Sequence, residues 1–303
     1  MICYSVAHRD AEEWAMRWLL LAALCVASGT AAAAPVGPVP VVAAENFYGD
    51  VAGQLAGPDA TVTSILANPD EDPHLFEASP SVARHLAGAR IVIVNGADYD
   101  PWMDTLLAAH AAPDRVVIRV ADLIGRKPGD NPHLWYDPAT MPAFARAFAA
   151  ALDQADPGHA AAHARRLAAF LHALAPMDAR IATIRAAHAG APVTATEPVF
   201  GYMATACGLT MRNERFQVAV MNDSEPAAAD VAAFENDLRS HAVRVLFYNS
   251  QASDTAARRM LDIARAARVP VVGVTETEPA GKTYARWMTG QLDALQRALA
   301  ASP

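Results

Sequence analysis

The runs IVIV at residues 91–94 and VVIRV at 116–120 bound the stretch RIVIVNGADYDPWMDTLLAAHAAPDRVVIRV, residues 90–120. Both are apolar and β-branched almost throughout, without the in–out alternation of a half-solvated strand. Such runs belong to strands covered on both faces, as in a parallel sheet flanked by helices. Working outward, comparable runs predict strands at 39–44, 60–66, 90–95 and 115–120 in the first half. In the second half they predict strands at 192–196, 215–220, 243–248 and 269–274. Helical patterns fall between them at 47–55, 79–87, 139–155, 227–240 and 254–267. This alternation predicts an α/β fold of two lobes, each with a mostly parallel sheet flanked by helices.

Between the halves, Leu167, Phe170, Leu171, Leu174, Ile181 and Ile184 fall at spacings that form one apolar helical stripe. Asp156-Pro157 reads as a helix start, and Gly190 followed by Pro192 as a stop. Some thirty residues at 1.5 Å each would reach about 45 Å, more than one lobe needs. Pro176 predicts a kink or a break into two helices. The expected organisation is an N-terminal lobe at 35–156, a linker helix at 157–190 and a C-terminal lobe at 191–303. Two consecutive helices of an ordinary domain are the alternative.

Residues 1–34 are expected to be removed on export. Arg17 is followed by an apolar run and then small residues up to Ala34, the pattern of a secretory signal cleaved among Ala31 to Ala34. The acidic residues Asp10, Glu12 and Glu13 do not fit the head of such a signal, so translation is expected to start at Met16. Cys25 raises lipid attachment as an alternative, against which Leu24 stands where a small residue belongs. Without the signal, Cys207 is the one remaining thiol and is expected to be buried packing. A net charge of −8 excludes the clustered basic surface of a nucleic-acid binder.

Two short segments carry the strongest chemical signal. His74 lies in NPDEDPHLFEASP and His133 in GDNPHLWYDP, each in a Pro-His-Leu setting after a predicted strand. Ligands collect at the carboxyl ends of parallel strands, so two such histidines are placed to face one cleft. Neutral imidazole is a ligand for zinc, manganese and iron. Glu197, in EPVFGYMA, and Glu276, in VTETEP, stand at strand ends in the second half. Singly, each reads as a cap or a solvated loop charge. As a set, two histidines and two carboxylates would supply a divalent cation with donors and charge. Asn249, Ser250 and Gln251 follow a strand and are candidates to hold those ligands, or are turn residues. His159 and His163 form an i, i+4 pair, HAAAH, whose expected setting is a solvated helix face. Asp72, Asp130 and Asp137 could serve as acid–base groups, but no H-E-x-x-H, phosphate loop or G-x-S-x-G accompanies them. A binding protein is therefore expected, not an enzyme; an exported metal-dependent hydrolase using the same cluster is the alternative.

The motifs DPHLFEASPSVARHLAGARIVIVNGADYDPWMD, NPHLWYDPATM and EPVFGYMATACGLT resemble those of the zinc/manganese-type solute-binding proteins of ATP-binding-cassette (ABC) importers. The resemblance runs from VPVVAAENFYGDVAGQLAG to the terminal helix. It implies two lobes joined by a long rigid helix, a periplasmic location, a membrane permease as partner and a monomeric carrier. It also implies one transported zinc or manganese ion held by His74, His133, Glu197 and Glu276. The third ligand in that family is histidine in many zinc-type members and glutamate in many manganese-type members. The fourth is usually an aspartate in a Thr-Asp-Ser turn; here the matching run is Thr275-Glu276-Thr277, which leaves Glu278 or a water as alternatives. Two carboxylates suit manganese and the Irving–Williams order favours zinc, with iron a third outcome.

Overall fold

The computed structural model describes residues 37–68, 76–251 and 254–301. The expected signal, Met16, Cys25, Asp72 and His74 lie outside the described residues. The body of the chain carries two sheets of four parallel strands each. The first contains β1 (Val39–Glu45), β2 (Ala60–Leu66), β3 (Ile91–Val94) and β4 (Val116–Arg119) in the order β2-β1-β3-β4. The second contains β5 (Pro192–Ala195), β6 (Thr210–Arg212), β7 (Leu246–Asn249) and β8 (Val271–Val274) in the order β6-β5-β7-β8. The two halves thus repeat one topology, a doubly wound sheet whose chain reverses direction between its first and third strands.

The run at 91–94 behaves as its composition predicts, whereas the run at 116–120 forms a strand with one open face, Val117 being 43% exposed. In β3 all four residues are buried, Ile91 and Ile93 in the main core and Val92 and Val94 in a second cluster on the opposite face. The strand expected at 215–220 is instead part of a helix, Glu214–Met221. Phe216 and Val220 are buried one helical turn apart, while Val218 is 45% exposed, so the segment has a helical face. The sheet's edge is the three-residue β6, whose burial pattern carries no apolar run to recognise.

The linker is helical from Ala160 to Ala173 and again from Ala175 to His188, with the break at Leu174. Pro176 occupies the first turn of the second helix, where its missing N–H costs nothing. Phe170, Leu174, Met177, Ile181 and Ile184 form the buried stripe. The helix Ala160–Ala173 lies against the helices Asn46–Ala56 and Thr140–Ala155, and Ala175–His188 against the terminal helix Tyr284–Ala301. One continuous core therefore runs from the first sheet through the linker into the second, taking in Phe47, Trp135, Phe144, Phe200, Phe247 and Trp287. Cys207 is buried in it, and burial pushes its thiol up to about 12.

Candidate metal centre

His133 follows the sequence Asp-Asn-Pro and precedes a single turn of 3-10 helix, Leu134–Tyr136. The Asn131 side chain fixes it twice. Its Oδ1 accepts from the His133 backbone N–H at 3.1 Å and lies 2.7 Å from the ring Nδ1. Asn131 is itself held, because its Nδ2 donates to the Pro198 carbonyl and its own carbonyl accepts from the Tyr202 hydroxyl. With Nδ1–H directed to an amide oxygen, the neutral ring presents its Nε2 lone pair. That nitrogen stands 3.2 Å from Glu276 Oε2, and both side chains are essentially without solvent contact.

Glu276 lies just beyond β8. Gln251 sets its position through the backbone: its Oε1 accepts from the N–H groups of Glu276 and Thr277 at 2.5 and 3.1 Å. Glu197 stands two residues beyond β5 in extended backbone and is 4% exposed. It makes no side-chain capping bond to the turn that follows, so the capping reading fails. Asn249, the last residue of β7, joins the carboxylates: its Nδ2 is 2.7 Å from Glu276 Oε1 and 3.3 Å from Glu197 Oε1. Asn249 and Gln251 thus hold the carboxylate pair, as one of the two readings of this turn expected. Ser250 only donates to the Val274 carbonyl.

Three of the four predicted residues therefore converge: His133, Glu197 and Glu276. They come from the carboxyl ends of both sheets, where the topology reverses. Two buried carboxylates beside an imidazole lone pair form an arrangement that desolvation penalises unless positive charge is supplied. A divalent cation supplies that charge and accepts the same atoms as ligands. Glu278 is not in this group. Its carboxyl lines a groove of roughly 570 Å³ with Asp50, Gln54 and Lys282, and burial pushes it up to about 9. Its backbone is held by Asn46, which donates to the Glu278 carbonyl at 2.8 Å and accepts from its N–H at 2.9 Å.

Residue-pattern reasoning missed Tyr99, whose hydroxyl donates to Glu276 Oε2 at 3.1 Å. Tyr99 is presented by a turn in which Gly96, Ala97 and Asp98 all have positive φ. Such backbone costs about 1–2 kcal/mol at each non-glycine residue, so surrounding bonds must hold it. The Asp100 carboxylate does so by accepting from the N–H groups of Asn95 and Gly96 at 2.7 and 2.8 Å. A Cβ on Gly96 would meet Ala121 at 3.0 Å and Arg119 at 2.9 Å. The only sequence signal was NGADYDP, where Asn-Gly and Asp-Pro mark a turn.

The HAAAH pair is not a solvated face. His159 is exposed, but His163 is fully buried, because its helix packs on Asn46–Ala56 and the turn after that helix brings Asp59 over it. Asp130 and Asp137 serve local turns: Asp130 accepts from the Lys127 N–H, and Asp137 accepts from the Ala139 N–H and pairs with Arg126.

Residues 41–298 match the model of the family described as zinc-uptake complex component A, periplasmic. The chain belongs to this family. Over nearly its whole length it is similar to the high-affinity zinc uptake system protein ZnuA of Paracoccus denitrificans, at 23% identity over 92% of this chain and 97% of that one. A shorter match, 27% identical, links 52% of the chain to 54% of the manganese-binding lipoprotein MntA of Halalkalibacterium halodurans. The fold is that of the periplasmic zinc-binding protein TroA of Treponema pallidum, with a TM-score of 0.73 and 21% identity over 87% of this chain and 99% of that one.

Proposed function

We propose that the chain is a periplasmic solute-binding protein that captures one divalent transition metal, zinc or manganese, and delivers it to an ABC import permease. The observation that carries this reading is the buried chain of contacts in which His133 meets Glu276 and Asn249 bridges Glu276 to Glu197. His74, which follows β2 in the sequence, would complete the ligand set. In this reading Asn131 orients the imidazole, while Asn249 and Tyr99 hold the carboxylates before the ion arrives. Residues 1–34 direct export and are removed. Residues 35–156 and 191–303 form the two lobes of a monomer, and 157–190 the rigid connection.

Two imidazoles and two carboxylates accept either metal. Zinc has the higher intrinsic affinity for such donors, and carboxylate oxygens give manganese its preferred ligand type. The relatives' names divide in the same way, between zinc uptake and manganese binding. The role is carriage rather than hydrolysis: with four protein donors no coordination position need be left for an activated water.

The test is equilibrium dialysis of the mature chain against zinc and manganese, separately and in competition. One ion held between the lobes, weakened by His74→Ala and by His133→Ala, is the expected result. Undiminished affinity in both variants would reject the ligand set.

A further inference from the structure

Some distance along the chain from the centre just described, a second group of metal-type donors meets at the root of the linker. It draws on three elements: Asp59 in the turn after the helix Asn46–Ala56, Asp156 at the end of the helix Thr140–Ala155, and His163 in the helix Ala160–Ala173. One donor atom from each lies within 4.8 Å of the others. Asp59 and Asp156 are 11% and 15% exposed, and His163 not at all.

The imidazole carries the argument. His163 Nδ1 stands 2.7 Å from Asp153 Oδ1, so that nitrogen bears the proton and donates to the carboxylate. The far nitrogen, Nε2, is buried and has no hydrogen-bond partner. It faces Asp59 Oδ2 at 3.5 Å and Asp156 Oδ2 at 4.0 Å. A buried nitrogen aimed between two carboxylates, with neither in bonding geometry, is a costly arrangement for the polypeptide alone. Donors around a tetrahedral zinc ion, at about 2.0–2.2 Å from it, stand about 3.3–3.6 Å apart. The first separation falls in that range and the second needs only a small inward movement. An imidazole whose other nitrogen donates to a carboxylate is also the usual outer arrangement of a metal-bound histidine.

Charge points the same way. Three carboxylates, Asp59, Asp153 and Asp156, face one guanidinium, that of Arg166, which pairs with Asp59 Oδ2 at 2.7 Å. His159 is one helical turn before His163, its Nδ1 at 2.7 Å from Asp156 Oδ2 and 3.9 Å from Asp59 Oδ1. A modest side-chain rotation would make it the fourth donor.

We propose that Asp59, Asp156 and His163, with His159 from the rim, form a second, structural site for a divalent ion of zinc type, which ties the start of the linker to the N-terminal lobe. The site is independent of the cargo site and does not travel with it.

The experiment uses zinc alone on the mature chain, with bound metal counted by dialysis and thermal unfolding recorded in parallel. Wild type is expected to hold two ions. The double variant His133→Ala/Glu276→Ala, which disables the centre between the sheets, should still hold one, and zinc should still raise its midpoint. Adding the isosteric Asp156→Asn should weaken the remaining ion at least tenfold and abolish the rise in midpoint; His163→Gln should do the same. Cobalt(II) in the double variant should give the visible bands of a four-coordinate nitrogen–oxygen site. A double variant that binds no zinc overturns the proposal, as does one whose zinc affinity survives Asp156→Asn. If wild type binds a single ion that Asp156→Asn removes and His133→Ala does not, this site stands and the carrier reading falls.

Discussion

The Asn46 side chain clasps the backbone of Glu278 with two hydrogen bonds, one given at 2.8 Å and one received at 2.9 Å. Asn46 opens the first helix of one half, and Glu278 lies two residues past a predicted ligand in the other. This amide is one of several links across the two halves, beside Tyr99 to Glu276 and Tyr136 to the Thr275 carbonyl.

Removing that amide strands a buried N–H and a carbonyl. Asn46→Ala is expected to lower stability by about 2 kcal/mol, read from urea unfolding of the metal-free chain. Zinc affinity should fall as well, though less, since the segment carrying Glu276 loses one of its two backbone anchors and keeps Gln251. An unchanged unfolding midpoint would mean that the clasp is not made in solution.

Asn131 touches His133 but is not itself a predicted ligand. Asn131→Ala should therefore weaken metal binding by roughly 10–100-fold, and His133→Ala by more. Competition with a chromogenic chelator resolves that order. Equal losses would place Asn131 on the ion itself.

Burial raises the Asp100 carboxyl from its ordinary 3.8 to about 6, although two backbone N–H groups hold it. The folded state thus prefers the protonated form. The stability this contributes is fully present below about pH 4 and is lost as pH rises through about 6, a change of about 3 kcal/mol. Asp100→Asn lacks that titration. The difference in unfolding free energy between wild type and Asp100→Asn should therefore shift by most of that amount, about 2 kcal/mol, between pH 4 and 7. A difference that stays flat over that interval would show that Asp100 is ionised throughout.

Phe144 is fully buried, with its ring edge-on to Tyr48 at a centroid distance of 5.0 Å. Phe144→Ala should cost about 3–5 kcal/mol by leaving a cavity, whereas Val117→Ala, at a side chain 43% exposed, should stay within about 0.5 kcal/mol. Chemical unfolding of both variants checks the contrast.

The parts legible in the sequence were those in which one side of the chain had to be apolar. β3 announces itself because both faces are covered, β1, β4 and β8 because their β-branched runs are apolar even where one position is exposed, and the linker because its stripe repeats at helical spacing. β6 was not legible, since an edge strand of three residues has little to bury. The helix Glu214–Met221 imitated a strand because Phe216, Val218 and Val220 alternate, although only the first and last are buried. The placing of Glu197 and Glu276 just beyond β5 and β8 was legible, while His133, separated from β4 by the short helix Val120–Leu123, stood out by its Asn-Pro-His-Leu setting. Tyr99 and the burial of His163 were not, because each depends on a segment distant in sequence: Glu276 for the first, Asp59 for the second.

The core passes unbroken between the halves. The Tyr136 ring lies edge-on to Phe200 at 5.2 Å and to Trp287 at 5.7 Å, the Tyr284 hydroxyl donates to the Trp135 carbonyl at 2.7 Å, and the Tyr136 hydroxyl reaches the Thr275 carbonyl at 2.9 Å. Wide opening would wet these rings and break these bonds together. If the chain carries metal as proposed, it would unload without its two halves swinging apart. Its radius of gyration in small-angle scattering should be the same loaded and stripped, and cargo should escape at a rate set by the segments around the ligands.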